Sequence, residues 1–207
     1  MKNIIKKNNG QAMIEFIIVF PVLLLFLVSI MQFALLYTSK QILNYAAYNT
    51  ARAAIVWIPK DVYPEIKLEK IKKAASITCS LISPNLNISS ENSIDTDISK
   101  ALSIINAKTK RKDMIQRYIT SDMLITVNIF DSKGIPFPIY SPFNNEMTHT
   151  DITVELLYNC PLILPVIDRV LLPLLKKITL NNRTIYALPM KAVSTLPIEG
   201  NVQNINK

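Results

Sequence analysis

The chain has 207 residues, with 23 Lys and Arg against 15 Asp and Glu, one His and two Cys, for a formal charge of +8. The positive charge is scattered rather than gathered with aromatics, which argues against a nucleic-acid partner. One histidine, two distant cysteines and three glycines supply neither metal-ligand spacing nor a phosphate-cradling loop, so an enzyme is not expected and no cofactor is implied.

Residues 16–37 (FIIVFPVLLLFLVSIMQFALLY) contain no ionisable side chain other than the terminal tyrosine. At 1.5 Å per residue the run reaches about 33 Å, enough to cross a hydrocarbon core. Its apolar core is too long for a cleavable secretory signal, and Ser29-Ile30-Met31 or Gln32-Phe33-Ala34 makes a poor cleavage site. Lys2, Lys6 and Lys7 precede it without an acid before Glu15, which predicts a cytoplasmic N-terminus and an exterior C-terminal part. Pro21 falls one turn inside the span, where its missing N–H loosens the helix at little cost in lipid.

From Thr38 to Trp57 there is no Gly or Pro, so the helix is expected to run on until Ile58-Pro59 stops it. Ala46, Ala47, Thr50, Ala51 and Ala54 form a surface of small residues. That surface suits close packing by another helix or by the chain's own domain, and both readings are open.

Residues 65–80 read as a helix with Leu68, Ile71, Ala75 and Cys79 on one face and lysines opposite. A polar loop from Ser83 to Ser93 precedes a second helix capped by Thr96 or Asp97, with Ile98, Leu102 and Ile105 inward. The cluster Lys108, Lys110, Arg111 and Lys112 is read as a solvated helix end. Leu124–Phe130 and Ile152–Tyr158 alternate as strands around a proline-rich loop, residues 134–145, and His149 sits in polar surroundings. Residues 162–178, apolar with Pro165 and Pro173, read at best as a broken helix. Thr184–Thr195 reads as a last strand, bulged at Pro189. Two sequons, at Asn87 and Asn182, have meaning only in a glycosylating host.

The expected fold is therefore α+β: a long N-terminal transmembrane helix continuing outside the membrane, packed on a small antiparallel sheet with additional helices. Cys79 and Cys160 both fall on the expected exterior side, where oxidation is possible. A disulfide between them would close a large loop worth roughly 4 kcal/mol in chain entropy; two buried free thiols are the alternative.

The N-terminal pattern carries a family resemblance. A short lysine-bearing leader ends in Gly10, Glu15 lies five residues beyond, and an apolar helix follows. This resembles the class III signal of type IV pilin-like proteins, in which a prepilin peptidase cuts after the glycine on the cytoplasmic side. The stretch Asn44–Ala54 (NYAAYNTARAA), with Arg52 amid alanines, and the Phe20-Pro21 interruption are similar to TadE-like minor pseudopilins of tight-adherence (Flp-type) pilus systems. The resemblance implies a leader at 1–10, cleavage between Gly10 and Gln11, a mature helix from 11 to about 57, and an exterior, periplasmic domain from 58 to 207. It implies assembly roles for Glu15 and Pro21, and a helix-packing role for Ala47, Ala51 and Arg52. The partners it implies are the prepilin peptidase, other pilin-like subunits, the inner-membrane assembly platform and the bacterial inner membrane itself. The function it implies is a structural subunit supporting adhesion or secretion. The runner-up is a signal-anchored exterior scaffold module that never enters a filament. A carboxylate at the edge of lipid usually has a partner. In the resemblance that partner is a neighbouring subunit's N-terminal amine; the plain alternative is solvation among headgroups.

Overall fold

The computed structural model describes residues 8–58, 63–86, 96–109, 113–131, 134–136, 151–161, 175–180 and 183–198. Lys110, Arg111, Lys112, His149, both sequon asparagines, the proline-rich loop beyond residue 136 and most of the 162–178 segment lie outside them. The element order is α1 (Asn8–Trp57), α2 (Pro64–Cys79), α3 (Thr96–Thr109), α4 (Met114–Leu124), β1 (Ile125–Phe130), β2 (Asp151–Pro161), β3 (Lys176–Leu180) and β4 (Arg183–Pro197). The chain divides into two compact units, Met1–Thr38 and Ser39–Lys207, and α1 contributes to both.

In the first unit α1 runs unbroken through Pro21. From Met13 to Leu27 every side chain is exposed, although nearly all are apolar. Phe16 and Phe20 stack one turn apart, with ring centroids at 5.4 Å. Hydroxyls are satisfied locally: Ser29 donates to the Leu25 carbonyl and Thr38 to the Ala34 carbonyl, each at 2.9 Å. Such back-bonding lets a hydroxyl sit in lipid without an unmet hydrogen bond. Among the described residues α1 is the one helix long and apolar enough to cross a membrane.

The second unit is built on a four-stranded antiparallel sheet in the order β1-β2-β4-β3. On β2, Ile152, Val154, Leu156, Tyr158 and Cys160 are all buried, the period-two pattern of a strand with one covered face. The register places Ile125 opposite Tyr158, and Met190 and Ala192 opposite Tyr158 and Leu156, so these residues share that face. The other face is polar: Thr153 and Thr195 hydrogen-bond directly across the strands, and Lys191 pairs with Glu155 at 2.6 Å. The architecture is α+β, as the sequence led one to expect.

Three details correct the sequence reading. β4 pairs with β2 without interruption through Pro189, which stands opposite Asn159, so there is no bulge. The described part of β3 ends opposite Ala187, two residues short, so no paired outer edge is shown for the missing N–H to disrupt. Lys176–Leu180, placed partly in a broken helix, is a strand in a hairpin with Arg183–Ala187. Met114–Leu124 is a helix, although its buried Thr120 and Ser121 dilute the apolar pattern around Met114, Tyr118 and Leu124.

α2 and α3 lie where expected. Ile71, Ala75 and Cys79 are buried on α2; Ile98 and Leu102 of α3 form a small core with Met114 and Tyr118 of α4. The lysines of α2 are not all opposite, however. Lys67 is buried, and its Nζ donates to the Ile58 carbonyl at 2.9 Å, satisfying the C-terminal end of α1. Its aliphatic stem lies inside while its charge meets the negative end of the helix dipole.

α2 and α4 are clamped by polar side chains. Ser76 Oγ and Lys72 Nζ donate to the two oxygens of Asp122, at 2.9 and 3.1 Å, and Ser121 Oγ donates to the Ser76 carbonyl at 2.8 Å. Asp122 is partly exposed, so the ion pair itself is worth little, and the bond from buried Ser76 matters more. Asp122→Ala is expected to cost about 1–2 kcal/mol and Asp122→Asn, which keeps an acceptor for Ser76, less than about 1 kcal/mol. Chemical-denaturation midpoints of the full chain in detergent measure both.

Candidate functional site

The candidate site is α1 itself, because the residues singled out in the sequence are strung along it. The Gly10–Gln11 peptide bond lies within the helix, which begins at Asn8. Glu15 is exposed on the turn before the Phe16–Phe20 stack. Met13, Ile14, Phe16 and Ile17 around it are exposed too, so the carboxylate stands among apolar side chains that the chain itself does not cover.

Beyond Ser39 the helix has two faces. Leu43, Ala46, Ala47, Thr50, Ala51, Ala54 and Ile58 are buried within the second unit. Of the two packing readings left open, the structure adopts the chain's own domain. Small side chains let a helix backbone approach its neighbour closely, and Thr50 is accommodated by donating its hydroxyl to the Ala46 carbonyl at 2.6 Å. Lys40 Nζ donates to the Lys191 carbonyl of β4, and the Ser39 side chain hydrogen-bonds Cys160 on β2. Ala47 and Ala51 are thus internal, whereas Arg52 points the other way. Its guanidinium lies 5.9 Å from the centre of the Tyr48 ring, one turn back. Tyr45, Tyr48, Arg52 and Val56 make an exposed aromatic and cationic stripe opposite the alanines.

Sequence reasoning missed the polar junction under Ser39. Ser83 Oγ donates to the Cys79 carbonyl at 2.9 Å and lies 2.9 Å from the buried Tyr158 hydroxyl. With Ser83's single proton committed to Cys79, Tyr158 is the donor in that second bond. Arg117 Nη1 donates to the Ser83 carbonyl at 2.9 Å, fixing the loop. A tyrosine on the covered parity of β2 was the available signal, since a buried phenol needs a partner. Cys79 and Cys160, expected as a disulfide, are free buried thiols in the structure.

Burial pushes the Cys79 thiol up to about 12. Burial also raises Cys160, against a hydrogen bond from Ser39, and is the main cause that raises Tyr158. All three are neutral when folded, while their unfolded counterparts ionise at the ordinary values of 9.0 for Cys and 10.0 for Tyr. Stability is therefore complete below about pH 9 and falls as the pH rises toward the folded values.

The TadE-like protein family matches residues 10–52. That segment is TadE-like. The match opens on Gly10 and closes on Arg52, and takes in Glu15, Pro21 and the first part of the alanine face. The family is a structural, non-enzymatic one of Tad pilus systems. No curated protein and no solved structure matches the chain. Among the described residues no cluster of His, Cys, Asp and Glu is placed to hold a metal ion.

Between about pH 9 and pH 11 the folded chain is expected to lose up to about 1.4 kcal/mol per pH unit for each of these groups once its unfolded form ionises. Cys79→Ala lowers the starting stability but makes the loss shallower by one group's share. Unfolding midpoints across the pH series, compared as slopes, test this; an unchanged slope in the variant would remove Cys79 from the account.

Proposed function

We propose that the chain is a minor pilin-like subunit of a Tad (Flp-type) pilus. Its leader is cut by a prepilin peptidase between Gly10 and Gln11, with the N-terminus cytoplasmic and the Ser39–Lys207 unit on the periplasmic side of a bacterial inner membrane. The observation that carries the reading is the TadE-like match over 10–52, laid on a helix whose apolar half the chain leaves uncovered. A long apolar surface has to be covered by something, and lipid before assembly and neighbouring helices afterwards are the covers this family context offers.

Within that reading Glu15 meets the α-amine freed at Gln11 of an adjacent subunit. Two opposite charges drawn from water into an apolar bundle need each other, because either alone is costly. Pro21 leaves the first turns able to bend as they pack. The stripe Tyr45, Tyr48, Arg52 and Val56 is the surface of the lower helix left free for neighbouring subunits or the assembly platform, since the alanine face is spent on the chain's own domain. Support of adhesion or secretion follows from a place in the pilus.

Two experiments test it. N-terminal sequencing of the membrane-purified protein, from cells carrying the whole pilus system, should begin at Gln11, and Gly10→Leu should retain the full-length chain. An intact Met1 in the wild type would favour an uncut, signal-anchored scaffold module instead. Glu15→Ala and Glu15→Gln should insert and be cut at normal or higher levels yet fail to co-purify with sheared filaments, a loss of roughly 3–5 kcal/mol for one broken buried pair. Glu15→Asp keeps the charge at shorter reach and should assemble partially. Equal recovery of all three variants would mean that Glu15 is only solvated among headgroups.

A further inference from the structure

Three elements meet at one buried hydroxyl. Cys79 ends α2, Tyr158 and Cys160 stand two residues apart on the covered face of β2, and Ser39 reaches Cys160 from α1. Ser83 ties the first two together through its bonds to the Cys79 carbonyl and the Tyr158 hydroxyl. Both cysteines, 81 positions apart, are thus buried and approach Tyr158 from different elements, Cys79 through Ser83 and Cys160 along β2.

We propose that Cys79 and Cys160 are a cross-link site, joined by thiol–disulfide exchange while the chain is still open, so that the disulfide staples the end of α2 to β2 beneath Ser39. The oxidant is a disulfide donor, small-molecule or protein, of the kind found outside reducing compartments. One cysteine thiolate attacks a donor sulfur, forming a mixed disulfide and releasing one donor thiol. The second cysteine attacks the protein sulfur of that mixed disulfide and releases the other. Two electrons pass from the cysteines to the donor, whose two thiols end with the two protons. Timing follows from burial: the attacking species is the thiolate, which the folded pocket suppresses and shields from the donor. In the open chain both thiols ionise normally, so both exchanges are complete before folding buries the link. The chemistry stands whether or not the pilus reading does.

The test uses the full-length chain purified in detergent and fully reduced. One sample is unfolded in denaturant, given oxidised glutathione and refolded; the other meets the same reagent while folded. Peptide mapping without reductant should find a Cys79–Cys160 linked peptide as the main product of the first sample. The folded sample should form it at least about ten-fold more slowly. The linked chain should unfold at a higher denaturant concentration than the reduced one. Cys79→Ser and Cys160→Ser should each carry a single glutathione and no link; should either fail to fold, the wild-type comparison decides alone. Separate glutathione adducts without the linked peptide, or a linked chain less stable than the reduced one, would overturn the proposal.

Discussion

A single unbroken helix joins a half apolar enough to cross a membrane to a half packed in a domain, and the rest of the chain is arranged around that change. Its backbone hydrogen bonds are internal and identical in lipid and in water, so only side chains can adapt it. From Met13 to Leu27 they are exposed and, Glu15 apart, apolar, and Ser29 and Thr38 turn their hydroxyls back onto the helix. After Ser39 the same helix becomes two-faced, with alanines, Leu43 and Thr50 inward and Tyr45, Tyr48 and Arg52 outward. The change takes only two turns, and it is what lets a protein domain form on one side of the helix without hiding the other.

Small side chains make the arrangement possible but not strong. An alanine face brings the helix backbone close, yet each alanine buries little area and contributes little by transfer alone. The ends of the segment are accordingly secured by polar contacts. At the start, Lys40 holds the β4 carbonyl of Lys191 and Ser39 holds Cys160. At the far end, Lys67 satisfies the Ile58 carbonyl from inside. Replacing Lys67 by an apolar residue of similar length would keep the packing and lose the cap, so the two contributions are separable there.

Much of this was legible in the sequence, and the failures have physical causes. Long periodic segments announced α1, α2, α3, β2 and β4, because repeated apolar spacing accumulates over many residues. α4 and β3 were missed because they are short. Buried Thr120 and Ser121 blurred the one, and two prolines and two lysines disguised the other. Pro189 suggested a bulge because a central strand rarely accepts proline; the sequence does not reveal that the neighbouring strand's described part stops before reaching it. Lys67 looked solvated because its destination, a helix-end carbonyl, exists only in the fold. The alanine face was ambiguous for a deeper reason: small residues fit any close neighbour, so they announce contact without naming the partner.

The same logic separates the two cysteines and Glu15 from the surfaces around them. A thiol in a packed pocket can be explained by volume alone, as a small apolar filler. Two thiols drawn from distant segments to the same phenol need a further reason, because serine-mediated polar contacts occupy the pocket already. A carboxylate among Met13, Ile14, Phe16 and Ile17 is harder to explain by packing, since no apolar surface gains from it. Removing it would make the helix easier to insert, so insertion does not account for its presence. On the proposed pilus reading, what it serves is an interaction made after insertion, with a neighbouring subunit's amine. Such a pair contributes little net affinity, because desolvation offsets most of the attraction, but it penalises every arrangement in which either charge is left alone. A subunit that stacks helix on helix in one register, as the one proposed would, needs that kind of selectivity more than it needs strength.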